Sequence, residues 1–347
     1  MTIPDLEPIH RLAPVVDALP GESVPYYLAG GEGLRIETFG QLWTVIARSC
    51  DTGDLFDAAT IRGPRGASAP FHTLDRQRSY HVTDGAVRFW LPGRSRLLVS
   101  GDSVHVPPGV AVAYRFEAHG AAMLLWSAPG GALDELVATQ RPVARHIYRA
   151  GRVAAGGTPI GVAVTEDFTE IDDRWDETLP PEQSGYFLRG GTGERLAWPD
   201  ALNVFTARGC TTGGHYFAVA TTGGRRPYIP RHFHRLHTEN FFCTAGRVWL
   251  WVNGHEMLLT PGDFVHAPAG TVHSFAFGAH NTGMLGILSS DVFEPFFEVT
   301  GEPTDDHVYT EGLIDPSAME ARLAHALDEL DLMMVGPPPR RTVAPGL

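Results

Sequence analysis

The chain has 347 residues, 43% of them hydrophobic and 19% charged, and its 27 Lys plus Arg against 40 Asp plus Glu leave a net charge of −13. That balance repels phosphate backbones and anionic lipid, and no local basic patch overrides it, so nucleic-acid and membrane-surface partners are excluded. Three cysteines without a Cys-x-x-Cys pair exclude a disulfide scaffold or thiolate metal site; an amino terminus lacking a basic start and apolar run, and no apolar stretch of membrane-spanning length, predict a soluble cytoplasmic protein.

The length predicts two compact units, and the chain repeats itself accordingly. Tyr26-Tyr27-Leu28-Ala29-Gly30-Gly31-Glu32-Gly33 recurs 160 positions on as Tyr186-Phe187-Leu188-Arg189-Gly190-Gly191-Thr192-Gly193. Later landmarks recur at a shift of 161: Gly85 with Gly246, Gly101-Asp102 with Gly262-Asp263, Pro107-x-Gly109 with Pro268-x-Gly270, and His146 with His307. One residue is therefore gained between Cys210 and His232 in this reading. The expected division is a first domain over 1–150, a second over 151–315, and a carboxyl-terminal helix and Pro-rich tail over 316–347.

Within each copy, short Val-, Phe-, Trp- and Leu-rich segments bounded by Gly, Pro and Asp predict many antiparallel strands, hence an all-β sandwich or barrel. In the first copy Val87–Leu91 and the strand through Arg96–Val99 form a hairpin across Pro92-Gly93, and a helix is expected over Ala132–Thr139. In the second, Val248–Val252 and His255–Leu259 form a hairpin across Asn253-Gly254. A weaker helix near Val292–Val299 requires Pro295 in its first turn. Asp315-Pro316 caps a further helix with Met319, Leu323, Leu327 and Leu330 on one face, and the chain from Gly336 onward reads as extended or disordered.

Chemistry concentrates in the second copy. His232-x-His234, four residues, then Glu239 and Gly246 are followed by Gly262-x5-Pro268-x-Gly270-x2-His273. A His-x-His pair alone is a weak signal in a chain with 16 histidines. The carboxylate offset and the second glycine-proline-glycine-histidine block turn it into a cage, because residues two apart share one face of a strand. Such a donor set suits one divalent transition metal: iron, manganese, cobalt, nickel, copper or zinc. By strand parity Phe241 and Cys243 share the face of Glu239, and Phe275 and Phe277 that of His273, either as an apolar substrate pocket or as ordinary core. His237 is expected to face away, and His215, His255, His266 and His280 read as surface or structural. Asp102 and Asp263 occur in both copies, which points to turn geometry rather than catalysis.

Both blocks resemble the two signature motifs of the cupin superfamily, and the doubled layout resembles bicupins of the quercetin 2,3-dioxygenase type over about Pro20 to Tyr309. The resemblance implies two tandem antiparallel jelly-roll barrels with a few short helices. Carried over residue by residue, it makes His232, His234, Glu239 and His273 the metal ligands. At the 161 shift the first copy has Phe71, Thr73, Arg78 and Val112 instead, with His72 expected on the opposite face of its strand, so one metal per chain is implied. The implied reaction is cleavage of a flavonol-like enolic polyphenol by O2 with release of CO, Glu239 serving as ligand and general base. The partners are then a small aromatic substrate and O2. The same cage also fits an oxygen-independent isomerase, cyclase or decarboxylase, or a non-enzymatic bicupin that binds a small molecule, and the duplicated layout leaves both monomer and homodimer open.

Overall fold

The computed structural model describes residues 9–148, 160–166, 168, 174–312 and 314–343. The expected boundary at 150/151 and the last four residues of the tail lie outside them. Strands dominate, helices are short, and among the described residues no helix is long and apolar enough to cross a membrane.

Two compact units form, but neither is contiguous in sequence. One comprises residues 1–30, 194–209 and 216–347, the other residues 31–193 and 210–215. This corrects the division expected from the repeat, and the opening strands supply the reason. Tyr26–Leu28, at the head of the first copy, pairs antiparallel with Phe264–Ala267 of the second, Tyr26 opposite His266 and Leu28 opposite Phe264. Its repeat Tyr186–Leu188 pairs with Ser103–Val106 of the first, Leu188 opposite Ser103 and Tyr186 opposite His105.

The duplicated aspartates fasten these strands. Asp263 accepts the Gly30 N–H on Oδ1 at 2.7 Å and the Thr260 N–H on Oδ2 at 2.7 Å. Asp102 does the same for Gly190 at 2.9 Å and Val99 at 2.9 Å. Each carboxylate thus closes its own turn, as expected, and also grips a strand from the other copy. A Cβ at Gly190 would lie 3.1 Å from the backbone of Gly101, so the close approach favours glycine there.

Each unit is built of two sheets. The first-copy unit has a seven-stranded and a five-stranded sheet, the second-copy unit a nine-stranded and a five-stranded sheet. The inner faces meet in aromatic and branched side chains: Trp43, Tyr80, Phe89, Tyr114 and Phe116 in the former, Phe241, Val248, Leu250, Phe275 and Phe277 in the latter. Burying each large apolar side chain contributes about 1.5–3 kcal/mol.

The Asn253-Gly254 hairpin forms as the dipeptide dictates, with φ of 46° and 93° at its two turn residues and Val252 opposite His255. Helices occupy Ala132–Thr139, Glu294–Thr300 with its proline in the first turn, and Pro316–Ala326 capped by Asp315. Met319, Leu323 and Leu327 are half-buried and Leu330 is buried. The tail after this helix is no separate appendage. Met333–Gly336 adds a strand to the five-stranded sheet beside Arg231–Phe233, Met334 opposite His232. Beyond it, Thr342 and Val343 donate their N–H groups to Glu256, so the extended course is docked.

Candidate metal centre

His232 lies on Arg231–Phe233, directly opposite His273 at the start of His273–Phe277. Facing positions of an antiparallel pair project to one side, which brings the two rings to 4.4 Å between centroids. His234 follows in the connecting loop, 5.2 Å from each of them. Glu239 opens the next strand, Glu239–Ala245. Its Oε2 lies 2.7 Å from His273 Nε2 and 3.3 Å from His234 Nε2, and one ligand atom from each of the four residues falls within 4.8 Å of all the others. The structure therefore brings together all four residues that the motif picked out.

The imidazoles are oriented from behind. His232 Nδ1 donates to Pro230 O at 2.9 Å, His273 Nδ1 to Thr271 O at 2.9 Å and His234 Nδ1 to Asp331 O at 2.6 Å. With every Nδ1 holding its proton against a carbonyl, every Nε2 presents a lone pair to the common centre. His234 Nε2 is buried and has no hydrogen-bond partner. Burial, then the neighbouring His273 and His234, push the His232 pKa well below its ordinary value, so it is the neutral donor a metal requires. For Glu239 burial alone would raise the pKa; the contacts with His234 and His273 outweigh it and hold the carboxyl well below the usual range. Three neutral imidazoles, one carboxylate and an unmatched buried nitrogen fit a borderline divalent transition ion.

A support absent from the motif comes from the tail. Besides taking His234 on its carbonyl, Asp331 accepts the Arg235 N–H at 2.8 Å, the Leu236 N–H at 2.8 Å and His237 Nδ1 at 2.7 Å. Burial opposes its charge, yet the His237 bond and these two amides hold its pKa down to about 2. His237 does point away from the cage, as expected, but is far from idle: its ring packs 4.1 Å from His234 and 4.7 Å from Phe293. Burial lowers its pKa to about 4. Asp331 belongs to no motif spacing, so nothing in the sequence pointed to it. His266, read as surface or structural, is structural: buried, with Nδ1 on Asn240 Oδ1 at 2.7 Å.

Of the residues proposed as lining, Phe241 is nearest, its ring 5.7 Å from His273 and 6.2 Å from Phe275. Phe277 stands behind Phe275 at 5.9 Å. Cys243 is fully buried and burial pushes its thiol up to about 12, which keeps it protonated. Sequence reasoning missed Arg226, whose guanidinium covers Phe277 at 4.6 Å and Phe275 at 5.1 Å.

In the first-copy unit the corresponding positions are not those given by a constant shift. His72, not Phe71, pairs with Val112, and two residues later in that strand's partner Tyr114 pairs with Ala69. Two residues on one strand thus oppose one on the other, a β-bulge just ahead of His72. His72 Nδ1 meets Pro70 O at 2.8 Å, as His232 meets Pro230. Leu74 O accepts Gly109 N–H, just as His234 O accepts Gly270 N–H. Arg78 pairs with Val106 where Glu239 pairs with Ala267, 161 positions on in both strands. The counterparts are therefore His72, Leu74, Arg78 and Val112, and the extra residue of the second copy falls between His234 and Glu239. The corrected set still holds no cation, because one imidazole beside a guanidinium offers neither the charge nor the donors.

A family model described as Cupin domain matches residues 221–283. The chain is 32% identical over 333 residues to a quercetin 2,3-dioxygenase of Bacillus subtilis (strain 168), covering 92% of this chain and 98% of that protein. Over 145 residues it is 28% identical to a quercetin 2,3-dioxygenase of Aspergillus japonicus, 39% of this chain and 41% of that one. Among solved structures, oxalate decarboxylase from Bacillus subtilis at pH 4.6 superposes with a TM-score of 0.50 at 14% identity, over 76% of both chains. A variant of the same enzyme gives a TM-score of 0.52 at 13% identity, over 76% and 77%. At such identity the likeness is one of fold and carries no reaction.

Proposed function

The chain belongs to the cupin superfamily and, within it, to the quercetin 2,3-dioxygenase family of bicupins, and from that premise we propose that its second-copy unit cleaves a flavonol-like enolic polyphenol with O2, releasing CO. It is an oxidoreductase that works with one divalent transition metal per chain. His232, His234, Glu239 and His273 would hold that ion. The observation carrying this reading is the convergence of His273 and His234 Nε2 on Glu239 Oε2, with a ligand atom of His232 within 4.8 Å of the other three.

When bound, the ion supplies Lewis acidity toward an enolic hydroxyl and, if redox-active, a route for electrons to dioxygen. The protein's own residues do the rest. Glu239, kept ionised, takes the proton of the enolic hydroxyl on Oε2, the oxygen that lies beside His273 and His234 Nε2. Phe241 and Phe275 offer apolar faces to a planar ring and exclude water from the enolate that results. Cys243, protonated and buried, takes no nucleophilic part.

The test is incubation of the purified chain, loaded separately with iron, manganese, cobalt, nickel, copper or zinc, with quercetin under air. Oxygen uptake and carbon monoxide release are expected with at least one metal. Turnover that continues without oxygen, or none with any metal, overturns the proposal.

A further inference from the structure

The first-copy unit holds a buried charge that no carboxylate among the described residues neutralises. Arg78 is 0% exposed. Its Nη2 donates to Val110 O at 2.8 Å, while Nε and Nη1 are buried without a hydrogen-bond partner. Among the described residues no carboxylate pairs with it; the groups that act on it or feel its charge are the Tyr80 phenol and the imidazoles of His72 and His105. The Tyr80 hydroxyl, also buried, lies beside the guanidinium and can accept one of its N–H groups. A guanidinium stays protonated in a protein interior, so it cannot escape the penalty of burial by losing its charge. Buried cations are met by counter-ions, and none is supplied by the described residues.

Geometry says what kind of counter-ion fits. Nη2 carries two hydrogens and Val110 takes one, so even with one further N–H turned to Tyr80 the guanidinium keeps N–H groups of its fork open. Two parallel donors match the two oxygens of a carboxylate. The edge lies at the strand position where the other unit carries Glu239, and Val112, in place of His273, stops short of where an imidazole nitrogen would reach.

We propose that the first-copy unit binds one small carboxylate on the open edge of Arg78, at the position equivalent to the metal centre of the second. The family's two barrels would then be, in this chain, one cation site and one anion site. The inference is independent of the metal chemistry proposed above.

The experiment is calorimetric titration and thermal unfolding of the full chain with formate, acetate and benzoate, against chloride at equal ionic strength. Wild type is expected to bind one carboxylate per chain and to gain thermal stability saturably, with chloride ineffective. Arg78→Met, close in volume and uncharged, should lose the response altogether while gaining stability in carboxylate-free buffer. Arg78→Lys keeps the charge without the fork and should bind about tenfold more weakly, which decides the matter should the Met variant not fold. Equal effects of chloride, a full response in Arg78→Met (as coordination to the metal in the other unit would give), or undiminished binding in Arg78→Lys each overturn the proposal.

Discussion

The two units present one scaffold with two fillings. Both keep an imidazole anchored to a proline carbonyl two residues back, His72 on Pro70 and His232 on Pro230. Both tie down a foreign opening strand with an aspartate. They part at three positions, Leu74 for His234, Arg78 for Glu239 and Val112 for His273, and in one loop that is longer by a residue in the second copy. That longer loop is the segment whose amides and His237 are gripped by Asp331. The units thus differ in more than the ligand positions: each adds an edge strand beside its histidine strand, Val162–Ala163 in one and Met333–Gly336 in the other, but among the described residues only the second carries a carboxylate, Asp331, that clamps the loop.

Breaking the cage should give the largest effect. Glu239→Ala removes both a ligand and the proposed base, and turnover is expected to fall by about 10² to 10⁴-fold with metal content reduced. Arg78→Met, at the equivalent place in the other unit, should leave metal content unchanged. Elemental analysis alongside oxygen uptake checks both; a Glu239→Ala protein that keeps its turnover would remove the contrast between the units.

Next in size is the clamp. Asp331→Ala deletes the acceptor for two amides and for His237 while the backbone carbonyl facing His234 remains. Loss of an outer support typically weakens metal affinity by about 10 to 100-fold, which competition with a chelator would measure. Affinity within error of wild type would show that the loop holds its shape unaided.

How much of this could be read from sequence depends on range. His232, His234 and Glu239 sit close together, so strand parity carries their spacing into space, and Asn253-Gly254 encodes its own turn. Repeat landmarks placed His273 without error. His72 was misassigned to the outer side because the extra residue of the second copy falls after His234, so the shift along this strand is 160 and not 161. The strand exchange was hidden because Tyr26-Tyr27-Leu28 and Tyr186-Phe187-Leu188 look alike, and either could have joined either sheet. Asp331 touches a loop about 95 residues upstream, a distance over which periodicity says nothing.

A smaller difference between the units lies in Asp57, to which the second copy offers Phe217 as the 160-shift counterpart. Asp57 accepts the Gly131 and Leu133 N–H groups on Oδ2, while Oδ1 is buried and unpartnered. Burial dominates and pushes its pKa up to about 6. A carboxyl raised in the folded state favours folding when protonated, so this contribution is complete below the unfolded value near 4 and disappears as pH rises through 6. Wild type should therefore gain on the order of 2 kcal/mol relative to Asp57→Asn as pH falls from 7 to 4. Parallel pH profiles from denaturant unfolding would contradict it.

The smallest expected effect separates core from chemistry inside the metal-bearing unit. Cys243 shares the face of Glu239 along its strand, and a thiol on that face invites a nucleophilic role. Its fully buried position and a pKa pushed up to about 12 argue that it only fills space. Cys243→Ala should then lower stability by about 1 kcal/mol through the small void it leaves, and keep turnover within about twofold of wild type because no thiolate is lost. A collapse of turnover with metal content intact would instead place the sulfur in the reaction, and the Phe241–Phe275 lining would have to be redrawn with a polar member.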